Sequence, residues 1–127
     1  MNVSEMVNQA RGQLQGLTPD QVAAELEQPH VVLVDVREPT EVAEAGVIPG
    51  AITAPRGMLE FHADPASPYH LAELKPEARV ILYCKSGARS ALAGAALKAL
   101  GYQDVAHLEG GITAWNQAQR PTARLGG

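Results

Sequence analysis

The chain carries one cysteine, Cys84, in 127 residues, so it forms no internal disulfide and suits a reducing compartment. Positive charge is not in excess. Ten Lys and Arg against 14 Asp and Glu leave a net charge of −4, which argues against a nucleic-acid surface, normally basic. No apolar run approaches the ~20 residues that cross a bilayer. Met1-Asn2-Val3-Ser4-Glu5 lacks the basic start and apolar stretch of a signal peptide. A cytoplasmic address is expected, with neither membrane nor nucleic acid as partner. The four histidines, His30, His62, His70 and His107, are scattered without the close spacing of zinc ligands, so no metal is expected. Gly46 and Gly50 make no dinucleotide fingerprint, with Pro49 beside them, and there is no phosphate-cradling loop. Repeats and a second domain are absent as well. What is there is ordinary: 46% apolar and 19% charged residues, enough for one domain with one substantial core.

The chain is organised around Tyr83-Cys84-Lys85-Ser86-Gly87-Ala88-Arg89-Ser90. Arg79-Val80-Ile81-Leu82-Tyr83 before it is short, apolar and β-branched, as a buried strand is. Residues 90–100 after it are alanine-rich and stop at Gly101, as a helix does. The only cysteine therefore sits where a strand hands over to a helix. Backbone N–H groups in such a loop and in the first helical turn lack partners, and with the helix dipole they favour an anion. A thiol there has its thiolate stabilised and is a better nucleophile than a free cysteine. Lys85 and Arg89 add positive charge, and Gly87 permits a bend through positive φ. The plainer alternative, a small buried apolar residue at a strand end, fits a basic glycine-containing loop less well.

Along the rest of the chain, Val3, Met6, Val7, Ala10 and Leu14 recur at helical spacing and predict an amphipathic helix over about 4–14, free to pack on the domain, pair with a second copy or fray. Thr18, Pro19 and Gln21 form a capped helix start, with the helix running to about residue 27 before Pro29. Residues 31–36 read as a parallel strand covered on both faces, with Asp35 at its C-terminal end. A short helix at 39–45, a turn at Pro49-Gly50 and a brief strand at 51–54 follow. The connection 56–77 holds a helical turn at 58–61 and a short helix at 69–74 among its prolines; His62 and His70 there either line an entrance or, more plainly, sit in a solvated loop. A strand at 104–108 and a helix at 112–119 complete the pattern. Strands alternating with helices predict an α/β fold, an open parallel sheet of about five strands with helices on both faces and right-handed crossovers. Trp115 and Tyr102 read as packing residues. The expected division is a helical extension at 1–16, the domain at 17–120 and a mobile tail at 121–127. The Gly126-Gly127 ending resembles a ubiquitin-like carrier terminus, but a frayed end is the plainer reading.

Cys84-Lys85-Ser86-Gly87-Ala88-Arg89-Ser90 resembles the active-site loop of rhodanese-type sulfurtransferases, whose loop begins with a cysteine that carries a persulfide. Three further motifs of that family occur in the same order. Asp35-Val36-Arg37-Glu38-Pro39 resembles its D-V-R-x-P segment, with Glu41 at the usual acidic position. Gly46-Val47-Ile48-Pro49-Gly50-Ala51 resembles G-H-I-P-G-A, with Val47 in place of the common histidine. Gly110-Gly111-Ile112 with Ala114-Trp115 resembles the closing G-G-x-x-x-W. The resemblance spans about residues 17–119. It implies that Cys84 is the catalytic nucleophile, that Lys85, Ser86, Gly87, Ala88, Arg89 and Ser90 form the substrate-binding loop, and that Asp35 and Arg37 support that loop from nearby. For Asp35 and Arg37 a purely structural ion pair is an equally good reading.

Loop length bears on the reaction. Cysteine-dependent phosphatases space the cysteine and arginine as C-x5-R around a tetrahedral phosphate. Here Cys84 and Arg89 are spaced C-x4-R, and Ser90 stands where the longer loop would place arginine. A shorter loop suits a single sulfur atom. The expected reaction is a two-step sulfur transfer. Cys84 attacks the outer sulfur of a small anionic donor such as thiosulfate and sulfite leaves. Loop N–H groups hold the persulfide, and a thiol, a protein acceptor or cyanide removes the sulfur. Lys85 and Arg89 are expected to orient the donor's oxygens and to lower the Cys84 pKa. No cofactor is required. The competing readings are a non-catalytic or relay module of the same fold and, less favoured by the loop, a phosphatase or arsenate reductase. A monomer or weak homodimer is expected.

Overall fold

The structure, a computed structural model, describes residues 1–124. Its elements run α1 (Val3–Arg11), β1 (Gln15–Leu17), α2 (Pro19–Glu25), β2 (Val31–Asp35), α3 (Pro39–Ala45), β3 (Ile52–Thr53), a 3-10 turn (Arg56–Met58), α4 (Leu59–Ala63), β4 (Arg79–Tyr83), α5 (Ala88–Ala99), β5 (Asp104–Leu108) and α6 (Gly111–Gln117). Five parallel strands form one sheet in the order β1-β5-β4-β2-β3. This is the expected α/β architecture.

Strand residues alternate between two cores, as period-two geometry requires. Val34, Val80 and Leu82 face one side and pack with Leu59 and Ala63 of α4 and Ala93 and Leu97 of α5. Leu33, Ile81 and Tyr83 face the other, with Val22 of α2 and Ile112 and Trp115 of α6. Both faces are thus covered, which is why the strands read as unbroken apolar runs. Thr18 caps α2 as its sequence predicts: its hydroxyl accepts from Gln21 N, and Gln21 Oε1 accepts from Thr18 N at 2.9 Å.

The elements differ from expectation in two places. Gln15–Leu17 forms an edge strand paired with β5 where no strand was expected. It escapes sequence reading because Gln15-Gly16-Leu17 has no β-branched residue and buries only Leu17. The short helix expected at 69–74 does not form. Leu71 N donates back to His62 O at 2.9 Å and the His70 ring contacts Leu74 O at 2.6 Å, so its bonds tie the segment to α4 in turns. At the start of the expected tail, Trp115 Nε1 donates to Pro121 O at 2.8 Å, and Ala123 and Val47 exchange two backbone bonds of 2.8 Å. Gly126 and Gly127 lie outside the described residues. Among those described, no helix is long and apolar enough to cross a membrane.

Candidate active site

β4 ends at Tyr83, and α5 begins at Ala88 after Gly87, whose φ of +117° is open to glycine and strained for other residues. This turn folds the loop back over its own cysteine. Cys84 is 1% exposed, and its Sγ accepts the Gly87 N–H at 3.1 Å and the Ser90 N–H at 3.4 Å. Lys85, Ser86 and Ala88 are exposed on the outer side of the loop, while Gly87 and Ser90 are buried beside the sulfur. Two backbone donors and the N-terminus of a 12-residue helix thus converge on one thiol. An arrangement of this kind stabilises negative charge at a single sulfur.

The outer side of the loop is clamped by α6. Ile112 N donates to Cys84 O at 2.9 Å and Thr113 N to Lys85 O at 3.1 Å. Gly111 makes that approach possible. Its φ is +59°, and a Cβ there would run into the carbonyl oxygens of Cys84 and Lys85. Gly111 of the closing motif is therefore a docking requirement of the cysteine loop, carried from the far end of the chain.

The two loop cations part company. Arg89 is bound end-on by Glu41 of α3, Nη1 to Oε1 at 2.6 Å and Nη2 to Oε2 at 2.9 Å. That hydrogen-bonded guanidinium holds the Glu41 carboxyl down to about 2. Arg89 thereby braces α5 against α3. Lys85 instead borders a cleft of about 270 Å³ whose walls include Arg37, Glu41, Ile112, Thr113 and Asn116. Another cation comes from outside the motif. Arg11, at the end of α1, places Nη2 3.1 Å from where a Gly87 Cβ would stand.

Asp35 and Arg37 are 0% and 2% exposed and form a buried pair, with Arg37 Nη2 2.8 Å from Asp35 Oδ2 and 2.6 Å from Gly46 O. The guanidinium also lies over the Tyr83 ring, 5.7 Å from its centroid, and Tyr83 Oη accepts the Ile48 N–H at 3.1 Å. The pair ties the turn at 46–48 to the residue preceding Cys84. Asp35 and Arg37 are beside the loop, as expected from the shared sheet edge, and reach it through Tyr83.

His107 is what sequence reasoning missed. It sits on β5, 1% exposed, with Nδ1 2.9 Å from Ser90 Oγ and Nε2 2.7 Å from Glu109 Oε1. Burial pushes its pKa below the ordinary value of 6.5, Glu109 opposes that, and Arg11 adds to it. A histidine inside an otherwise apolar strand was the available signal. His62 and His70 hold backbone carbonyls of the 56–77 connection, at Tyr69 and Leu74. Among the described residues no cluster of metal-ligating side chains occurs.

Comparison with known proteins follows the same lines. The family model described as the rhodanese-like domain matches residues 18–118. A sulfurtransferase of Allochromatium vinosum is 41% identical over 85 residues, which make up 67% of this chain and 71% of that protein. A probable adenylyltransferase/sulfurtransferase of Mycobacterium tuberculosis is 40% identical over 91 residues, 72% of this chain, and the chain spans only 21% of its length. Among solved structures, a protein of unknown function from Rhodopseudomonas palustris, described as a possible tyrosine phosphatase, superposes with a TM-score of 0.91 at 37% identity. That match covers 97% of this chain and 95% of the other.

Proposed function

The chain belongs to the rhodanese-like domain family, whose members include sulfurtransferases, and we propose that it transfers a sulfane sulfur from a small anionic donor, thiosulfate or a close analogue, to a thiophilic acceptor through a persulfide on Cys84. The observation that carries this reading is the pair of N–H groups aimed at a buried Sγ, 3.1 and 3.4 Å away. Those donors suit the terminal sulfur of a persulfide as they suit a thiolate, and they cost no reorganisation when charge develops. Cys84 Sγ, giving up its proton, attacks the donor's outer sulfur; the donor's S–S bond breaks and its electron pair departs with sulfite. A thiol, a protein or cyanide then takes the sulfur and restores the cysteine. A reducing compartment such as the cytoplasm keeps the lone thiol available. Lys85 supplies the donor's counter-charge from the cleft.

The Rhodopseudomonas palustris description favours a second reading, phosphate-ester hydrolysis. The loop argues against it. C-x4-R spacing puts Ser90 where a phosphate-binding arginine would stand, and Arg89 is turned away onto Glu41. Intact mass of the protein after thiosulfate should show a gain of one sulfur that cyanide removes, and Cys84→Ser should abolish both that gain and thiosulfate:cyanide turnover. Cys84-dependent hydrolysis of p-nitrophenyl phosphate, without any sulfur gain, would replace sulfur transfer by the phosphatase reading.

A further inference from the structure

Cys84 is one end of a buried hydrogen-bonded chain that the loop chemistry above does not use. Its Sγ lies 3.6 Å from Ser90 Oγ, Ser90 Oγ 2.9 Å from His107 Nδ1, and His107 Nε2 2.7 Å from Glu109 Oε1. Cys84, Ser90 and His107 are 1%, 0% and 1% exposed, whereas the Glu109 side chain is 46% exposed. The ends of the chain assign its protons. A carboxylate only accepts, so Nε2 carries the ring proton and Nδ1 presents its lone pair to the Ser90 hydroxyl. That hydroxyl donates inward, to Nδ1 or to Gly87 O at 3.1 Å, and turns an oxygen lone pair toward the thiol.

We propose that Ser90 and His107 form a proton relay that takes the Cys84 thiol proton as the sulfur donor is attacked and returns it when the acceptor leaves, with Glu109 orienting the imidazole. The relay rests on the sulfur-transfer reading for its substrates. In the first half-reaction the S–H proton moves to Ser90 Oγ as the serine proton moves to His107 Nδ1. The Cys84 Sγ–sulfur bond forms, the donor's S–S bond breaks, and its electron pair leaves with sulfite. The imidazolium rests against Glu109. In the second, an acceptor thiolate bonds to the terminal sulfur, the persulfide S–S bond breaks with its electron pair on Cys84 Sγ, and the proton returns through Ser90.

His107 acts through Ser90 and is a positioning residue. The other charged and titratable groups around it are few: Glu109 on its own segment, Arg11 from α1, and Cys84 beyond Ser90 of α5. The neighbouring strands present Gly16 and Leu82 at its register. Burial keeps the imidazole neutral near pH 7 and so free to accept a proton.

The test follows two reactions of the single thiol across pH: alkylation by iodoacetamide, and persulfide formation from thiosulfate read by intact mass. Wild type should keep its rate down to about pH 6, below the ionisation of a free thiol. His107→Asn keeps an acceptor for Ser90 but no base, and Ser90→Ala breaks the chain. Both should slow the two reactions by on the order of ten-fold at pH 6–7 and approach wild type as pH rises, where hydroxide takes the proton without the relay. Ser90→Thr keeps the hydroxyl and, whatever its rate at high pH, should lack the extra fall at pH 6–7 that Ser90→Ala shows. Profiles lowered by one factor at every pH, as a structural role would give, overturn the relay. So do variant profiles that coincide with wild type, and so does a wild-type thiol inert to both reagents below pH 8. Alkylation with the relay's pH profile but no sulfur gain would sink the sulfur-transfer reading and leave the relay standing.

Discussion

The cysteine loop is flanked by two regions of opposite polar chemistry. On the β2 and α3 side stand permanent ions: the buried Asp35–Arg37 pair and the Glu41–Arg89 pair, each joined through an arginine guanidinium. On the β5 and α6 side stand Ser90, His107 and Glu109, with a buried imidazole in place of a buried ion pair and Arg11 of α1 near it, while backbone amides of α6 hold the loop carbonyls. Arginine stays charged at every working pH, so the first flank can hold a shape and cannot exchange protons. An imidazole exchanges them near neutrality. One flank is built to fix the loop, and the other holds the group able to move a proton to and from it.

The largest expected effect comes from the fixed flank. Arg37→Ala leaves Asp35 charged, 0% exposed and without its partner, and removes the bond to Gly46 O. Breaking one side of a buried pair costs about 3–5 kcal/mol. His107→Asn on the other flank strips no buried charge of its partner and should cost about 1–3 kcal/mol, the scale of a lost buried hydrogen bond. Urea unfolding of the two variants measures the contrast. Equal losses would mean that the ionic flank is no more structural than the titratable one.

Gly111→Ala sharpens the comparison from the β5 side. Its Cβ would meet two backbone carbonyls that have little room to yield, at a φ that alanine adopts only with strain. A loss on the order of 1–3 kcal/mol is expected. The loop carbonyls of Cys84 and Lys85 would be displaced, so sulfur transfer should fall more than stability does. A variant with native melting and native turnover would show that α6 does not set the loop.

Much of this was legible in the chain because local chemistry decided it. Thr18, Pro19 and Gln21 announce α2, and the apolar runs 31–35 and 79–83 announce the two central strands that aim Asp35 and Cys84 at one edge. β1 was silent because an edge strand of three residues needs only one buried side chain, and its pairing is decided by β5 far along the sequence. The pairing of Arg89 with Glu41 was silent because the two stand 48 positions apart in the chain and nothing local joins them. His107 is the same case across 17 positions: alone it is one histidine in a strand, and Ser90 gives it meaning only once β5 lies beside α5.

The flanks should also separate by pH. Arg89 holds Glu41 down to about 2, against an ordinary 4.5. The unfolded chain binds the proton first as pH falls, so this contribution is whole above 4.5 and is lost on the way to about 2. His107 titrates below its ordinary 6.5 when folded, so protons again favour the unfolded chain, and its contribution is whole above 6.5 and declines as pH falls below it. Unfolding free energy measured against pH should show two descents. His107→Asn should flatten the upper one and Glu41→Gln the lower. Identical slopes in all three proteins below pH 6.5 would mean that neither group is linked to folding.

The smallest expected effect separates the two loop cations. Lys85 is exposed on the cleft and Arg89 is hydrogen-bonded twice to Glu41, so removing them should do different things. Lys85→Ala takes away a solvated charge near the donor's path. It should leave stability unchanged and lower kcat/KM for thiosulfate a few-fold, about 0.2–1 kcal/mol, as exposed charge interactions do. Because such a charge is screened over about 8 Å at physiological ionic strength, the gap between Lys85→Ala and wild type should close as salt is raised. Arg89→Ala removes the brace between α5 and α3, so it should lower stability and turnover together, with little dependence on salt. Steady-state kinetics at low and high ionic strength, beside a melting curve for each variant, checks both halves. A Lys85→Ala protein with native kcat/KM at low salt removes that lysine from the donor site. An Arg89→Ala protein that melts like wild type but loses thiosulfate turnover in a salt-sensitive way would return Arg89 to the donor and leave the ionic flank with one fewer structural member.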